Sequence, residues 1–350
     1  MEKRRLGVSD ILVNPIGIGC WAYGGGEYWG EQNQSDVNEV VHSALDLDIN
    51  LFDTAEMYND GASETALGKA LKGKRNEAVI CSKVSPSNAK PDILRMHCEA
   101  SLKRLDTDYI DIYMLHWPIN SLSVKHFTSD ADLISNPPSV QAAFDTLMKL
   151  KEEGKIRRIG ISNFGASQIS EAIMTGAEII ADELPYNIMS RAIEKEIVPC
   201  CIENNISIIG SMTLQQGLLA GIFSQAADVP PHQAHSRHFN HERGAGTSRH
   251  EENGAEEEIF EALGKLRMIS KELGIHMAQL AIAWLISKPW LGCSLVGSRN
   301  LSELKANVEA GFICPGKDII REIDSISEPV LTKLGYNPDY YENVNNSRIK

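Results

Sequence analysis

No stretch of this chain stays apolar for long enough to cross a membrane; nothing approaches the roughly 20 consecutive apolar residues that a spanning helix needs. Cysteine offers no framework either. The seven cysteines are odd in number and scattered, Cys200 and Cys201 are adjacent, and no spacing resembles a zinc motif. A disulfide scaffold and a structural zinc module are thereby excluded, and the thiols read as reduced, small apolar residues of a cytoplasmic protein. Basic charge is in deficit, with 34 Lys and Arg against 47 Asp and Glu, a net charge of −13 and a pI near 5.3. That balance argues against a general nucleic-acid binder. The first ten residues, Met1 to Asp10, carry charge with no apolar core behind it and do not read as a secretory signal. A Gly-x-Gly-x-x-Gly turn is also missing. The segment Gly17-Ile18-Gly19-Cys20-Trp21-Ala22-Tyr23-Gly24 has another spacing, which weighs against a doubly wound sheet.

What is present is an alternation of short apolar runs with amphipathic stretches. After a β-hairpin over 1–16, strands are expected near 17–20, 50–53, 78–82, 109–115, 157–161, 179–183, 206–210 and 293–296. Helices are expected near 36–47, 62–72, 91–104, 140–153, 165–174, 192–204, 257–273, 277–287 and 301–309. Asp36 and Ser302 read as helix N-caps, and Gly154 and Gly274 as C-terminal stops. Eight strands with intervening helices predict an α/β fold, a (β/α)8 TIM barrel forming a single domain over 1–350. Barrels of this kind often reach that length as one unit.

Four residues stand at or just after strand ends: Asp53, Tyr58, Lys83 and His116. Asp53 and Lys83 are 30 residues apart, and Lys83 and His116 are 33 apart, each gap fitting one strand, one helix and two loops. In a parallel βαβ array such strand ends converge at one face. A phenol, an ammonium, a carboxylate and an imidazole meeting there can perform acid–base work on a polarised carbonyl. The bland alternative is an Asp53–Lys83 ion pair with two half-buried rings. If the ammonium of Lys83, held by Asp53, lies beside Tyr58, it stabilises phenolate and lowers the phenol pKa.

Several ordered motifs now bear on identity. Phe52-Asp53-Thr54-Ala55-Glu56-Met57-Tyr58, Ser82-Lys83-Val84, Leu115-His116-Trp117-Pro118, Gly160-Ile161-Ser162-Asn163-Phe164 and Gln216-Gly217-Leu218-Leu219 together resemble the aldo-keto reductase family over roughly residues 2–312. The resemblance implies a barrel that binds a nicotinamide nucleotide without a Rossmann domain, with Asp53, Tyr58, Lys83 and His116 as the catalytic tetrad. It implies that Ser162 and Asn163 hold the nicotinamide carboxamide, while Glu183 stands where the family has glutamine. The ring-stacking aromatic segment is replaced by Ser211-Met212-Thr213-Leu214, which leaves Met212 or another side chain to cover the ring.

By the same resemblance, Cys20, Trp21, Asp53, Gln216 and Gly217 belong to the cofactor cleft, and Gly297, Ser298, Arg299, Glu303 and Asn307 to the adenosine end. Arg299 offers a fork for a 2′-phosphate and Glu303 opposes it. NADP(H) is slightly favoured, with NAD(H) the alternative. Trp21, Tyr58, His116 and Trp117 are the expected substrate contacts, Trp29 is a further aromatic candidate, and no metal is expected.

Two segments leave the repeating pattern. Residues 224–254, a long loop after the seventh barrel strand, carry His232, His235, His238 and His241 at intervals of three, with Arg237, Arg243 and Arg249. A basic lid touching cofactor pyrophosphate or a polar substrate is the preferred reading over a metal site, a solvated excursion or a subunit contact. The tail over 328–350 is aromatic and turn-rich, and reads as a pocket element, a packed strap or an oligomer contact. The expected function is interconversion of a carbonyl, perhaps sugar- or polyol-derived, and its alcohol by hydride transfer, with a small-molecule partner and no nucleic acid or membrane. The alternative is a nicotinamide-binding sensor or accessory subunit. The sequence does not specify an oligomeric state.

Overall fold

A computed structural model describes residues 1–350. Its framework is a closed barrel of eight parallel strands: β3 (Ile16–Gly19), β4 (Leu51–Asp53), β5 (Val79–Val84), β6 (Ile110–Leu115), β7 (Ile156–Ser162), β8 (Ile179–Pro185), β9 (Ser207–Ser211) and β10 (Leu291–Gly297). All eight expected strands are present. Strand order follows chain order, and β10 closes on β3 through Ser294↔Ile16 to Gly297↔Gly19. Two short antiparallel strands, β1 (Arg4–Arg5) and β2 (Leu12–Val13), form the expected hairpin. It plugs the end of the barrel opposite the site. Leu6, Ile11 and Val13 pack in one cluster with the inward residues Leu51, Ile112, Met114 and Ile209. The guanidinium of Arg4 donates to the carbonyls of Leu291 and Ile286 at 2.8 and 2.6 Å. The turn needs glycine at position 7: its φ is +54°, and a Cβ there would lie 2.6 Å from the Ile180 carbonyl oxygen.

Around the barrel run α1 (Gln34–Asp46), α2 (Ala62–Ala70), α3 (Pro91–Leu105), α4 (Ser121–Val124), α5 (Ala131–Ser135), α6 (Val140–Glu152), α7 (Ala166–Met174), α8 (Ile197–Glu203), α9 (Glu256–Leu273), α10 (Met277–Ile286), α11 (Leu301–Glu309) and α12 (Lys317–Leu334). The larger apolar cluster lies between these helices and the strands. Gly154 and Gly274 follow α6 and α9 with φ of +75° and +68°, as expected of helix stops. Both N-cap expectations shift. Asn33, not Asp36, precedes α1, and Asp36 lies in its first turn. Asn300, not Ser302, caps α11, because its side-chain oxygen accepts the N–H of Glu303 at 3.0 Å. Helix α12 was not expected at all. It contains Pro329 in its interior, where proline removes a backbone hydrogen bond, yet α12 survives because its apolar stripe, Ile323, Val330, Leu331 and Leu334, is buried.

The long loop corrects the basic-lid expectation. Its arginines are each neutralised: Arg237 by Glu252, Arg243 by Glu256 and Arg249 by Glu342. Arg237 also donates to the carbonyl of Leu334 at 2.6 Å, tying the loop to the end of α12. His238 is fully buried, with Nε2 3.2 Å from the Met189 carbonyl and Nδ1 3.1 Å from Ser236 Oγ and 3.2 Å from Gln215 Nε2. The loop is therefore largely a packed clasp, and His232 is its contact with the mouth, edge-on to Tyr28.

Burial, as the main cause, pushes His238 down to about 3. Below its ordinary pKa of about 6.5 the unfolded chain takes up a proton that the folded chain refuses. Stability is therefore full above that value and falls with pH toward 3. His238→Gln is expected to remove about 2 kcal/mol of the stability lost between pH 7 and pH 5, at 1.36 kcal/mol per unit. Urea midpoints of native and variant protein at the two pH values check this; equal pH dependence would place the titration elsewhere.

Candidate active site

Asp53 ends β4, Lys83 lies near the end of β5, and His116 follows β6, so the register of three neighbouring strands brings them together. Tyr58 is supplied by the loop after β4, where Asn59 and Asp60 take positive φ. Asn59 earns that conformation by donating from its side chain to the carbonyls of Trp21 and Tyr23 at 2.8 and 2.9 Å. Lys83 is fully buried. Its ammonium donates to Asp53 Oδ1, to the Thr54 carbonyl at 3.1 Å and to the Tyr58 hydroxyl at 3.4 Å. A second carboxylate, Glu183 Oε2 from β8, lies 3.2 Å from the same nitrogen. Asp53, Cys81 and Glu183 present ligand atoms within 4.8 Å of one another, and the Lys83 ammonium contacts both carboxylates of that anionic centre.

The electrostatics modify one expectation. Lys83 does pull Tyr58 toward phenolate, but burial outweighs it, and the Asp53 and Glu183 charges add to burial, so the net effect raises Tyr58 above an ordinary phenol. Tyr58 is thus protonated at neutral pH. Lys83 is pushed up because its two carboxylates overcome the burial that acts to lower it. His116 is held well below its ordinary value, chiefly by burial and then by Lys83. It is a neutral imidazole, its ring 5.6 Å from that of Tyr58 and its Nδ1 buried without a protein partner.

The expected nicotinamide residues lie together. Ser162 Oγ donates to the Glu183 carbonyl at 3.0 Å, and Asn163, at φ +62°, donates to the His116 carbonyl and to Ser162 Oγ, both at 3.0 Å. Beyond β9, Met212, Gln215 and Gln216 all have positive φ and Gly217 has φ +100°. Asn187 holds this turn by donating to the Met212 carbonyl at 2.9 Å and to Gln215 Oε1 at 2.8 Å. Such a folded backbone at a strand end suits the pyrophosphate of a dinucleotide. Ser211 and Leu214 flank the turn, whereas Thr213 spends its hydroxyl on Ser294 Oγ and the Leu295 carbonyl, at 2.9 and 2.8 Å, and faces the barrel wall. Cys20 is likewise buried, at the end of β3.

At the expected adenosine end Asn307 donates to the Gly297 carbonyl and to Ser298 Oγ, at 3.2 and 3.1 Å. Arg299 and Glu303 are not ion-paired through the guanidinium. The Glu303 carboxylate accepts the Arg299 backbone N–H at 2.9 Å and the Asn300 side-chain amide at 2.9 Å, completing the cap of α11. The Arg299 guanidinium reaches across the cleft instead, to the Glu31 carbonyl at 2.7 Å and Gln32 Oε1 at 3.1 Å.

Aromatic rings wall the mouth. Trp21 stacks on Tyr28 at 5.1 Å and lies 6.0 Å from the Tyr58 ring; Trp29 stands edge-on to Trp21 and Tyr28. Gln216 donates to the Tyr28 hydroxyl at 2.7 Å. Trp117 is covered by the guanidinium of Arg348 at 3.6 Å, and Phe127 faces His116 at 6.5 Å. Sequence reasoning missed Tyr28, Gln32, Phe127 and Arg348. Tyr28 was signalled by its aromatic neighbour Trp29, while nothing local to Arg348 reveals that the tail returns to Trp117.

The aldo/keto reductase family model matches residues 15–328. The chain belongs to the aldo/keto reductase family. It is 32% identical over 331 residues to the NADH-specific methylglyoxal reductase of Escherichia coli, covering 89% of this chain and 93% of that protein. It is 28% identical to the aldo-keto reductase YhdN of Bacillus subtilis, over 95% of both chains. Among solved structures, the glycerol dehydrogenase of Gluconobacter oxydans superposes with a TM-score of 0.75 at 24% identity, covering 96% of this chain and 97% of that one, a likeness of fold. As an aldo/keto reductase the chain is a nicotinamide-dependent oxidoreductase that interconverts carbonyl and alcohol. None of its helices is long and apolar enough to cross a membrane.

Proposed function

We propose that Tyr58 is the general acid in reduction of a small carbonyl compound and the general base in the reverse reaction, with Lys83 and Asp53 setting its proton affinity and His116 orienting the carbonyl oxygen. The observation that carries this reading is the buried contact of Lys83 with the Tyr58 hydroxyl, beside an imidazole with a free nitrogen. Ser162, Asn163 and Glu183 would hold the nicotinamide, Met212 would cover its ring, and Gln216, Gly217, Ser298, Arg299 and Asn307 would line the cleft toward the adenosine. The bound nucleotide supplies or accepts the hydride. Tyr58, protonated at neutral pH, donates its proton to the carbonyl oxygen as negative charge develops there. The neutral His116 ring has one N–H to offer the same oxygen.

Trp21, Tyr28, Trp117 and Phe127 suit a compact substrate with a C–H face, such as a small 2-oxoaldehyde or a triose. Relatives that reduce methylglyoxal or oxidise glycerol are consistent with that size. The ordered tetrad favours turnover over a purely sensory role, although a probable potassium channel β subunit of Arabidopsis is also 26% identical. The seven unpaired thiols support a cytoplasmic location. A screen of such aldehydes and polyols with each nucleotide tests the proposal; no hydride transfer to any of them would overturn it.

Cofactor choice turns on Arg299. Glu303 is occupied in the cap, so the Arg299 fork is free of it, and NADP(H) is the preferred nucleotide. Arg299→Ala is expected to weaken NADPH more than NADH by about 1.5–3 kcal/mol, the worth of a hydrogen bond to a charged group. Fluorescence titration of both nucleotides checks this. Equal losses would mean that Arg299 only latches the loop at Glu31 and Gln32.

A further inference from the structure

The Lys83 ammonium has more anionic company than its task requires. It touches two carboxylates from opposite sides of the barrel, Asp53 on β4 and Glu183 on β8. Glu183 Oε2 lies closer to Nζ, at 3.2 Å, than the Tyr58 hydroxyl does, at 3.4 Å. Both acids are almost wholly buried, so with both ionised the centre would carry an uncompensated negative charge. We propose that Glu183 is a positioning residue that divides the Lys83 ammonium between itself, Asp53 and Tyr58, and thereby biases the site toward carbonyl reduction over alcohol oxidation. This rests on the assignment of Tyr58 as the acid–base group.

The groups that face Glu183 are Asp53 from β4, Lys83 and the Cys81 thiol from β5, Tyr58 from the loop after β4, and the buried thiol of Cys293 from β10. Asp182, its chain neighbour, points to the other side of the strand, with Oδ1 toward the Phe164 N–H. Burial first, then the Asp53 charge, raises Glu183 well above an ordinary carboxylate, against the pull of Lys83. Burial and the neighbouring charge thus favour the protonated acid at Glu183. Its carboxylic acid then presents both a donor and an acceptor, as a primary amide does. In the shared buried centre a carboxylic acid, ordinarily about six pH units more acidic than a phenol, gives up its proton before Tyr58 does as pH rises. From that point a second negative charge beside Lys83 resists phenolate. Reduction, which needs the phenol, keeps its rate to higher pH, and oxidation, which needs the phenolate, is delayed.

Glu183→Gln keeps the shape and removes the charge. At pH values where native Glu183 would be ionised, Lys83 is then left with one carboxylate, and phenolate forms more readily. The alkaline limb of the reduction profile is expected to move down by about one pH unit, the lower end of the effect of one nearby charge. In the pH range where native Glu183 is ionised, the ratio of oxidation to reduction rate at saturating substrates should rise about tenfold by the same shift; where Glu183 is protonated, the ratio should stay near native. Glu183→Asp, which retains an acid, should restore most of the native limb.

An independent readout needs no turnover. In nucleotide-free protein at pH 7 the infrared carbonyl band of un-ionised carboxylic acids should shrink in Glu183→Gln, with Asp182→Asn as the control for the other buried acid. An alkaline limb that stays in place or moves up, or an infrared band that is unchanged, would overturn the proposal. If no carbonyl or alcohol is turned over by the native protein, the assignment of Tyr58 fails, and the infrared band still reports whether Glu183 carries the proton.

Discussion

Tyr58→Phe is expected to slow carbonyl reduction by about two to four orders of magnitude, the scale of lost general acid catalysis. Nucleotide affinity should stay near native. The hydroxyl makes its one protein contact, with Lys83, and the ring packs between Trp21 and His116 in either side chain. The two alternatives for Tyr58 separate cleanly. A half-buried structural ring loses little when its hydroxyl is removed, whereas an acid loses nearly all of its rate. Single-turnover reduction at saturating nucleotide, with a carbonyl that the native protein accepts, measures the difference. Near-native rates in the variant would remove Tyr58 from the chemistry and leave the tetrad as a packing arrangement.

Lys83→Met has the second largest expected effect, and it acts on stability as well as rate. The ammonium is fully buried and contacts Asp53, Glu183 and the Thr54 carbonyl. Removing one partner of a buried ionic group typically costs about 3–5 kcal/mol, here reduced to the extent that the two carboxyls share a proton instead. The reduction rate should fall by about two orders of magnitude or more. The residual activity should keep its alkaline limb to higher pH, because Lys83 is the one group that opposes burial in setting Tyr58. Thermal melts and a pH profile with deuterated nucleotide, which shows that hydride transfer limits the rate, test both parts. Loss of stability with an unmoved limb would make Lys83 structural only.

The strands were legible because each is a short apolar run bounded by turns, and their even spacing carries the barrel with it. The tetrad was legible because strand ends in such a barrel share one face, so position along the strand already predicts convergence. Helix α12 was hidden by Pro329, whose local penalty is smaller than the burial of a four-residue apolar stripe. The long loop was misread through composition. Arg237, Arg243 and Arg249 look basic in sequence, but their carboxylate partners, Glu252, Glu256 and Glu342, come from the end of the loop, the start of α9 and the tail. The second carboxylate on Lys83 was equally out of reach. Glu183 was noticed as an unusual residue for a carboxamide contact, but its approach to an ammonium 100 residues earlier depends on barrel curvature, which no local pattern encodes.

The seam between β3 and β10 has a consequence for how this enzyme comes into being. Ser294 pairs with Ile16 across almost the whole length of the chain. Contacts of such sequence separation form slowly, because much of the chain must be ordered before they are rewarded. Trp21 follows one side of that seam, and Ser298 and Arg299 follow the other, while Gln32 and Arg299 join hands across it. With the cleft lined as proposed, no partly assembled barrel presents it complete. During refolding, nucleotide affinity should appear with the last kinetic phase, and excess nucleotide should act as a staple on the closed seam, slowing its reopening.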